Sequence, residues 1–305
     1  MVKWIFSCYL FACTALANEL PTQSWVFYQP QQQDKQITRL QWQGVMKALK
    51  QAGAKGLVLQ WTAYGDNTFG QPHELQLSTL AEFAAQAGLQ VMVGLYLDSN
   101  YFEQIKQASS SLPFYLNKHR ALSLKQAQHW QGFSQTPAFA GWYISEEIDD
   151  YHWQDYQKNQ LLIEHLSASY EQLQQLTPEA PVYISAYLGG HLPVVKARHL
   201  LQRISLQGKL KVWLQDGVGT GALSHSQREM YFNGIFSCAS EQGQPSGIVL
   251  ERFRQNKQAD SFAAEPAENA HWYQQIEWSK AWCPSQSAVF SLRYLTLAKQ
   301  AFTPK

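Results

Sequence analysis

The chain has 305 residues and is nearly electroneutral, with 24 Lys and Arg against 23 Asp and Glu. A balance this even supplies no cationic footprint for nucleic acid or anionic lipid, which leaves neutral polymers as the expected partners. The 11 Trp, 15 Tyr and 15 Phe supply many flat apolar faces, suited either to core packing or to sugar rings.

Residues 1–17 read as a cleaved secretory leader. Lys3 is its positive end, Trp4 to Leu16 its apolar run, and Ala15-Leu16-Ala17 a small-x-small cleavage site. The apolar run is shorter than the roughly 20 residues a membrane span needs, and no later segment is apolar enough to span. Leu10-Phe11-Ala12-Cys13 loosely resembles a lipobox, but Phe11 fits that pattern poorly, so cleavage after Ala17 is preferred. The remaining residues 18–305 are expected to form one domain, in the periplasm or secreted, as a monomer without cofactor or metal.

Short β-rich apolar runs then alternate with longer amphipathic stretches, the pattern of repeated βα units on a parallel sheet. The first run is Ser24 to Tyr28, followed by Ile37, Leu40, Val45, Met46 and Leu49 at helical spacing, ending near Gly53. Gly56 to Trp61 is the second, with a helix around Leu77, Leu80, Ala84 and Ala87. Val91 to Tyr96 is the third. Ser99 to Ala140 reads as two helices with a break near Pro113, before the fourth run, Gly141 to Ser145. A helix ends near Leu176, and Val182 to Tyr187 is the fifth strand. Val194 to Leu206 is helical, and Lys211 to Gln215 is the sixth strand. Ser224 caps a helix running to about Ser240, and Gly247 to Glu251 is the seventh strand. A Trp-rich helix follows Pro266, and Ala288 to Leu292 is the eighth strand. Eight strands, nearly all followed by a helix, are the count of a closed (β/α)8 TIM barrel. A doubly wound sheet usually opens with a Gly-rich phosphate turn, whereas here the first strand runs into Gln29-Pro30-Gln31-Gln32-Gln33.

Of 4 cysteines, Cys8 and Cys13 leave with the leader, and Cys238 and Cys283 are expected to pair as a structural disulfide.

Barrel active sites lie at the C-terminal strand ends. Those ends offer Trp61, Tyr64 and Asp66, Tyr96 and Asp98, Glu146, Glu147, Asp149 and Asp150, Tyr187 and His191, Trp213, Gln215 and Asp216, then Glu251, Arg252 and Arg254. Glycosidic hydrolysis needs one carboxylic acid to protonate the leaving oxygen and a second carboxylate to attack or to activate water. Strands four and seven stand on opposite sides of the ring, so Glu147 and Glu251 can face one cleft. Asp66, Asp98, Trp61, Tyr96, Tyr187, Trp213, Asp216 and Glu146 are the expected sugar-binding residues.

Gly141-Trp142-Tyr143-Ile144-Ser145-Glu146-Glu147-Ile148-Asp149-Asp150 resembles the strand-four motif of the domain-of-unknown-function family DUF4434, regarded as TIM-barrel glycosyl hydrolases. Leu214-Gln215-Asp216-Gly217-Val218-Gly219 and Val249-Leu250-Glu251-Arg252-Phe253 resemble its later motifs, so the similarity spans nearly the whole mature chain. More distantly, glutamates after strands four and seven resemble glycoside hydrolase clan A. That resemblance implies Glu147 as acid/base, Glu251 as nucleophile and retention of configuration. The clan's Asn before the acid/base is Glu146 here, so Glu146 and Glu147 stay open as the acid; Glu147 holds the second place of the Asn-Glu pair. Glu146 is also expected to raise the Glu147 pKa as a like charge, with Glu251 remaining ionised.

The blander readings are specific. Asp149 and Asp150 can serve the start of the next helix, Glu251 an ion pair with Arg252 or Arg254, and Asp216 a turn. His191, beside two glycines, reads as a loop residue. The competing function is a non-catalytic periplasmic glycan-binding barrel for export or sensing. A metal-dependent deacetylase is opposed by the scarcity of histidines at the mouth.

Overall fold

The computed structural model describes residues 19–68, 77–239, 241–258 and 263–303. The leader and its cleavage site lie outside the described residues. Eight parallel strands close into a barrel: β1 (Trp25–Tyr28), β2 (Gly56–Leu59), β3 (Gln90–Gly94), β4 (Phe139–Asp149), β5 (Val182–Tyr187), β6 (Lys211–Gln215), β7 (Gly247–Glu251) and β8 (Gln286–Phe290). They follow one another in chain order around the ring, and β1 bonds to both β2 and β8. The helices outside are α1 (Arg39–Gln51), α2 (Leu77–Gln86), α3 (Leu112–His129), α4 (Tyr156–Leu176), α5 (Val194–Leu206), α6 (His225–Ile235) and α7 (Asn269–Lys280). After β8 the chain makes two short 3-10 turns and a last turn of helix, α8 (Lys299–Phe302). The fold is a single (β/α)8 TIM barrel, as the alternation of runs predicts.

Local chemistry sets the helix starts. Thr38 and Ser224 each accept the backbone N–H three residues on, from Gln41 and Gln227, whose side chains reach back to the cap. Pro113 sits in the first turn of α3, where its missing N–H costs nothing, and the expected break falls just before it, between α3 and a short helical turn at Tyr101–Gln104. The helix expected to reach Ser240 stops at Ile235.

Strand alternation sorts side chains into two cores. Val26, Leu57, Val91, Trp142, Ile144, Val212, Leu214, Ile248 and Leu250 face outward and pack under the helices. Trp25, Phe27, Val58, Met92, Tyr143, Tyr183, Trp213, Val249 and Ala288 fill the barrel axis. Two glycines make room for the indoles: a Cβ on Gly56 would meet the Trp25 ring at 2.5 Å, and one on Gly247 the Trp213 ring at 2.8 Å. Cys238 and Cys283 are disulfide-bonded, tying the turn before β7 to the turn before β8. Among the described residues no helix is long and apolar enough to cross a membrane.

Candidate active site

The axial core stops short of the C-terminal strand ends, leaving a cavity of about 700 Å³ at the mouth. Its position follows from β4. Trp142, Tyr143 and Ile144 pair in register with Val182, Tyr183 and Ile184, but Ile148 pairs with Ala186, so the segment between bulges. Through the bulge the alternation set by the outward Trp142 and Ile144 persists. Ser145 and Glu147 join Tyr143 on the cavity wall, while Glu146 turns outward beneath the helices.

Glu147 is held from both sides. Gln215 Nε2, from the end of β6, donates to its Oε2 at 3.0 Å, and the Tyr101 hydroxyl donates to its backbone carbonyl at 3.1 Å. Burial raises the Glu147 pKa, the Gln215 hydrogen bond works against this, and the charge of Asp149 adds to it. Glu146 is not among the causes, which corrects the like-charge expectation.

Glu251 closes β7 and enters the same cavity from the other side, only 1% exposed. Its Oε2 accepts the Gly219 N–H at 2.6 Å. A Cβ on Gly219 would lie 2.7 Å from the Phe253 ring and 2.9 Å from that carboxylate oxygen, so only glycine permits the approach. Asp216 stands behind it, its Oδ1 accepting the Glu251 N–H at 3.3 Å and the Val218 N–H at 3.2 Å, its Oδ2 accepting from Gln275 Nε2. Burial pushes Asp216 up to about 6, and Glu251 is raised well above the ordinary carboxylate range by burial and then by the Asp216 charge. Glu251 therefore does not simply remain ionised. No ion pair offsets this among the described residues: Arg252 turns away, donating to the Ala267 carbonyl and to Asn269.

Glu146 is clamped outside the cavity. His165 Nε2 lies 2.7 Å and His119 Nδ1 3.0 Å from its Oε1. Burial alone would raise its pKa, but the charges and hydrogen bonds of the two histidines hold it well below the usual range. The three ligand atoms all lie within 4.8 Å of one another, a grouping that can hold a metal ion. The outer nitrogens argue otherwise. His119 Nε2 receives the Asp98 N–H at 3.4 Å, and His165 Nδ1 faces the Arg120 guanidinium at 3.4 Å. The far nitrogens face donors, whereas a metal-bound histidine needs its far N–H directed at an acceptor.

The remaining expected residues divide. Trp61, Asp98 and Tyr187 line the cavity, Trp61 packed against Tyr64 at 4.7 Å and Tyr187 bonded to Thr220 at 2.8 Å. Trp213 does not: it is 0% exposed, stacked among Trp25, Phe27 and Tyr183 with its N–H on Gln286. Its inward parity is right, but it lies one layer below the mouth. Tyr96 packs on His119 at 5.0 Å and is not part of the cavity lining, and Asp66 is exposed beyond the rim. Asp216 and Glu146 act behind the wall and are not part of it. Gln215 stands at the mouth as its place after the sixth strand implies, whereas Tyr101, Tyr143 and Tyr294 were not among the expected contacts; for Tyr143 the alternation with Glu147 carries the signal.

Two acidic side chains, from the ends of β4 and β7, thus enter one cavity at the mouth of a closed parallel barrel. The chain belongs to the family described as "Domain of unknown function (DUF4434)", matched over residues 24–294. It is 38% identical over 276 residues to the uncharacterized protein YbcH of Escherichia coli (strain K12), covering 90% of each chain. Among solved structures, it is similar to a candidate alpha-L-fucosidase from Bacteroides thetaiotaomicron, with TM-score 0.67 and 14% identity over 92% of both chains. A beta-galactosidase from Marinomonas ef1 gives TM-score 0.59 and 8% identity over 92% of this chain and 58% of that one. Identities this low establish the barrel fold, not the reaction.

Proposed function

We propose that the protein hydrolyses a glycosidic bond in a polysaccharide or oligosaccharide, with Glu147 as acid/base and Glu251 as nucleophile. The observation that carries this is the entry of both carboxyls into one cavity, each with its own hydrogen-bond donor. Burial raises the Glu147 pKa, the direction a general acid needs. The Gly219 N–H, and that of Thr220, favour the ionised form of Glu251 against its burial and the Asp216 charge, which still hold its pKa well above the ordinary range, so attack at the anomeric carbon falls to the form that gains as pH rises. Attack by Glu251 expels the leaving sugar as Glu147 gives it a proton; water activated by Glu147 then releases the glycosyl group, with net retention.

Glu147→Gln and Glu251→Gln are expected to lower reducing-end release from a polysaccharide panel by at least about a thousandfold, each remaining folded. Because the Glu251 pKa is raised, the acid limb of the pH–rate profile should fall above the ordinary glutamate range, activity rising as pH rises through it. Full activity in Glu251→Gln would remove it from the mechanism. The depth at which Glu251 and Asp216 are buried together favours one second reading, a barrel that binds glycan without cutting it. Glycan binding with no reducing ends released by the wild type would select that reading.

A further inference from the structure

Two buried carboxylates at the end of β4, Asp149 and Asp150, organise the mouth through hydrogen bonds of their own. Asp149 accepts the backbone N–H groups of Tyr151 and His152 at 2.9 and 2.6 Å and lies 2.6 Å from His152 Nδ1. Asp150, fully buried, accepts four consecutive backbone N–H groups, Gly189 to Leu192, at 2.7 to 3.1 Å. What these acids hold in place is a row of rings at the surface.

The row begins at the cavity. Phe102 lines its edge and is 43% exposed. Its ring centroid is 5.8 Å from that of His152, His152 is 4.9 Å from Tyr151, and Tyr151 is 4.9 Å from His191. Tyr151 is 51% exposed, and His191 is exposed. Gly189 leaves space for the last ring, since a Cβ there would come within 3.1 Å of it. The ridge thus crosses the loops after β3, β4 and β5, on the side of the mouth from which Glu147 enters. Exposed aromatic surface gains nothing for folding by being fixed, but rigid rings bind a partner without an ordering cost.

We propose that this ridge is a binding track for a polysaccharide chain, carrying the sugars on the leaving-group side of the scissile bond away from the cavity. This rests on the glycosidase reading for its direction, and it makes the action endo, on chains longer than the cavity holds. The occupant is a glycan because the ridge is continuous with the cavity that binds the sugar to be cut. Sugar rings stack on such flat faces.

Binding is the test, so that cleavage does not enter. Calorimetry on the Glu147→Gln/Glu251→Gln protein, or on Glu147→Gln alone should the double variant not fold, would use cello-, xylo-, laminari- and chito-hexaose and their disaccharides. At least one hexaose is expected to bind about tenfold tighter than its disaccharide. Tyr151→Ala and His191→Ala should each weaken that hexaose about tenfold while moving the disaccharide less than about twofold, and Tyr151→Phe should restore binding. Failure of every hexaose to outbind its disaccharide, or equal losses on both lengths, overturns the track. Failure of the hydrolase reading would show separately, as wild-type protein that binds the hexaose and leaves it intact.

Discussion

Glu251 in the cavity wall and Asp216 behind it are buried together, and the chain tolerates there what a stability-optimised barrel would not. A group whose folded pKa is raised stabilises the fold fully only below its unfolded pKa, and that contribution is lost as pH rises through the folded value. For Asp216 the window runs from its ordinary value near 3.8 to about 6. Asp216→Asn, which keeps an oxygen to accept the Glu251 and Val218 N–H groups, should therefore be more stable than wild type above pH 6, by on the order of 2 kcal/mol. The gain should vanish near pH 4. Thermal unfolding of the two proteins at pH 4 and pH 7.5 measures this, and an Asn variant less stable at pH 7.5 would mean that lost hydrogen bonds outweigh the relieved charge. Because the Asn oxygen keeps the bond to the Glu251 N–H while the like charge is gone, the acid limb of the proposed hydrolysis should move to lower pH in the same variant.

The β4 bulge joins the site to its scaffold. Inside the barrel it presents Glu147; outside it presents Glu146 to His119 on α3 and His165 on α4. One carboxylate thus ties the strand carrying the proposed acid to the two helices covering it. Here the sign is opposite to that of Asp216. A depressed folded pKa contributes stability above the unfolded value, lost as pH falls through the folded one. Glu146→Gln is expected to lower stability at pH 7 by about 1–3 kcal/mol, because the histidine N–H groups lose a charged acceptor. The deficit should shrink below the ordinary glutamate pKa of about 4.3. Urea midpoints at pH 7 and pH 3 read this out; equal midpoints at pH 7 would reduce the clamp to a packing contact.

Taken as one body, the barrel separates stability from chemistry by its two ends. The disulfide joins Cys238 and Cys283, 45 residues apart, across turns that precede β7 and β8. These lie at the N-terminal end of the strands, away from the cavity. On the chain-entropy account a loop of that length stabilises by about 4 kcal/mol. Replacing both cysteines by serine should lower the denaturation free energy by up to that amount, with kcat/KM unchanged in the folded protein. A fall in kcat/KM at a temperature where the variant is fully folded would show that the two ends communicate.

How far the residues alone reach can be read from particular elements. Apolar runs spaced for eight strands determined the barrel, and Val182–Tyr187, Lys211–Gln215 and Gly247–Glu251 fall where the runs place them, because parallel strands covered on both faces must be continuously apolar. The Cys238–Cys283 bond was legible for a simpler reason, as these are the two cysteines that lie outside the leader expected from the sequence. Which carboxylates share a cavity was decided only in three dimensions. Alternation distinguishes inner from outer side chains, but depth along the axis depends on how strands stagger. Trp213 therefore sinks into the core, two residues before Gln215 reaches Glu147. Glu146 and Glu147 adjoin in the chain yet point to opposite sides of the wall, and only packed helices supply the histidines that keep one of them out of the site.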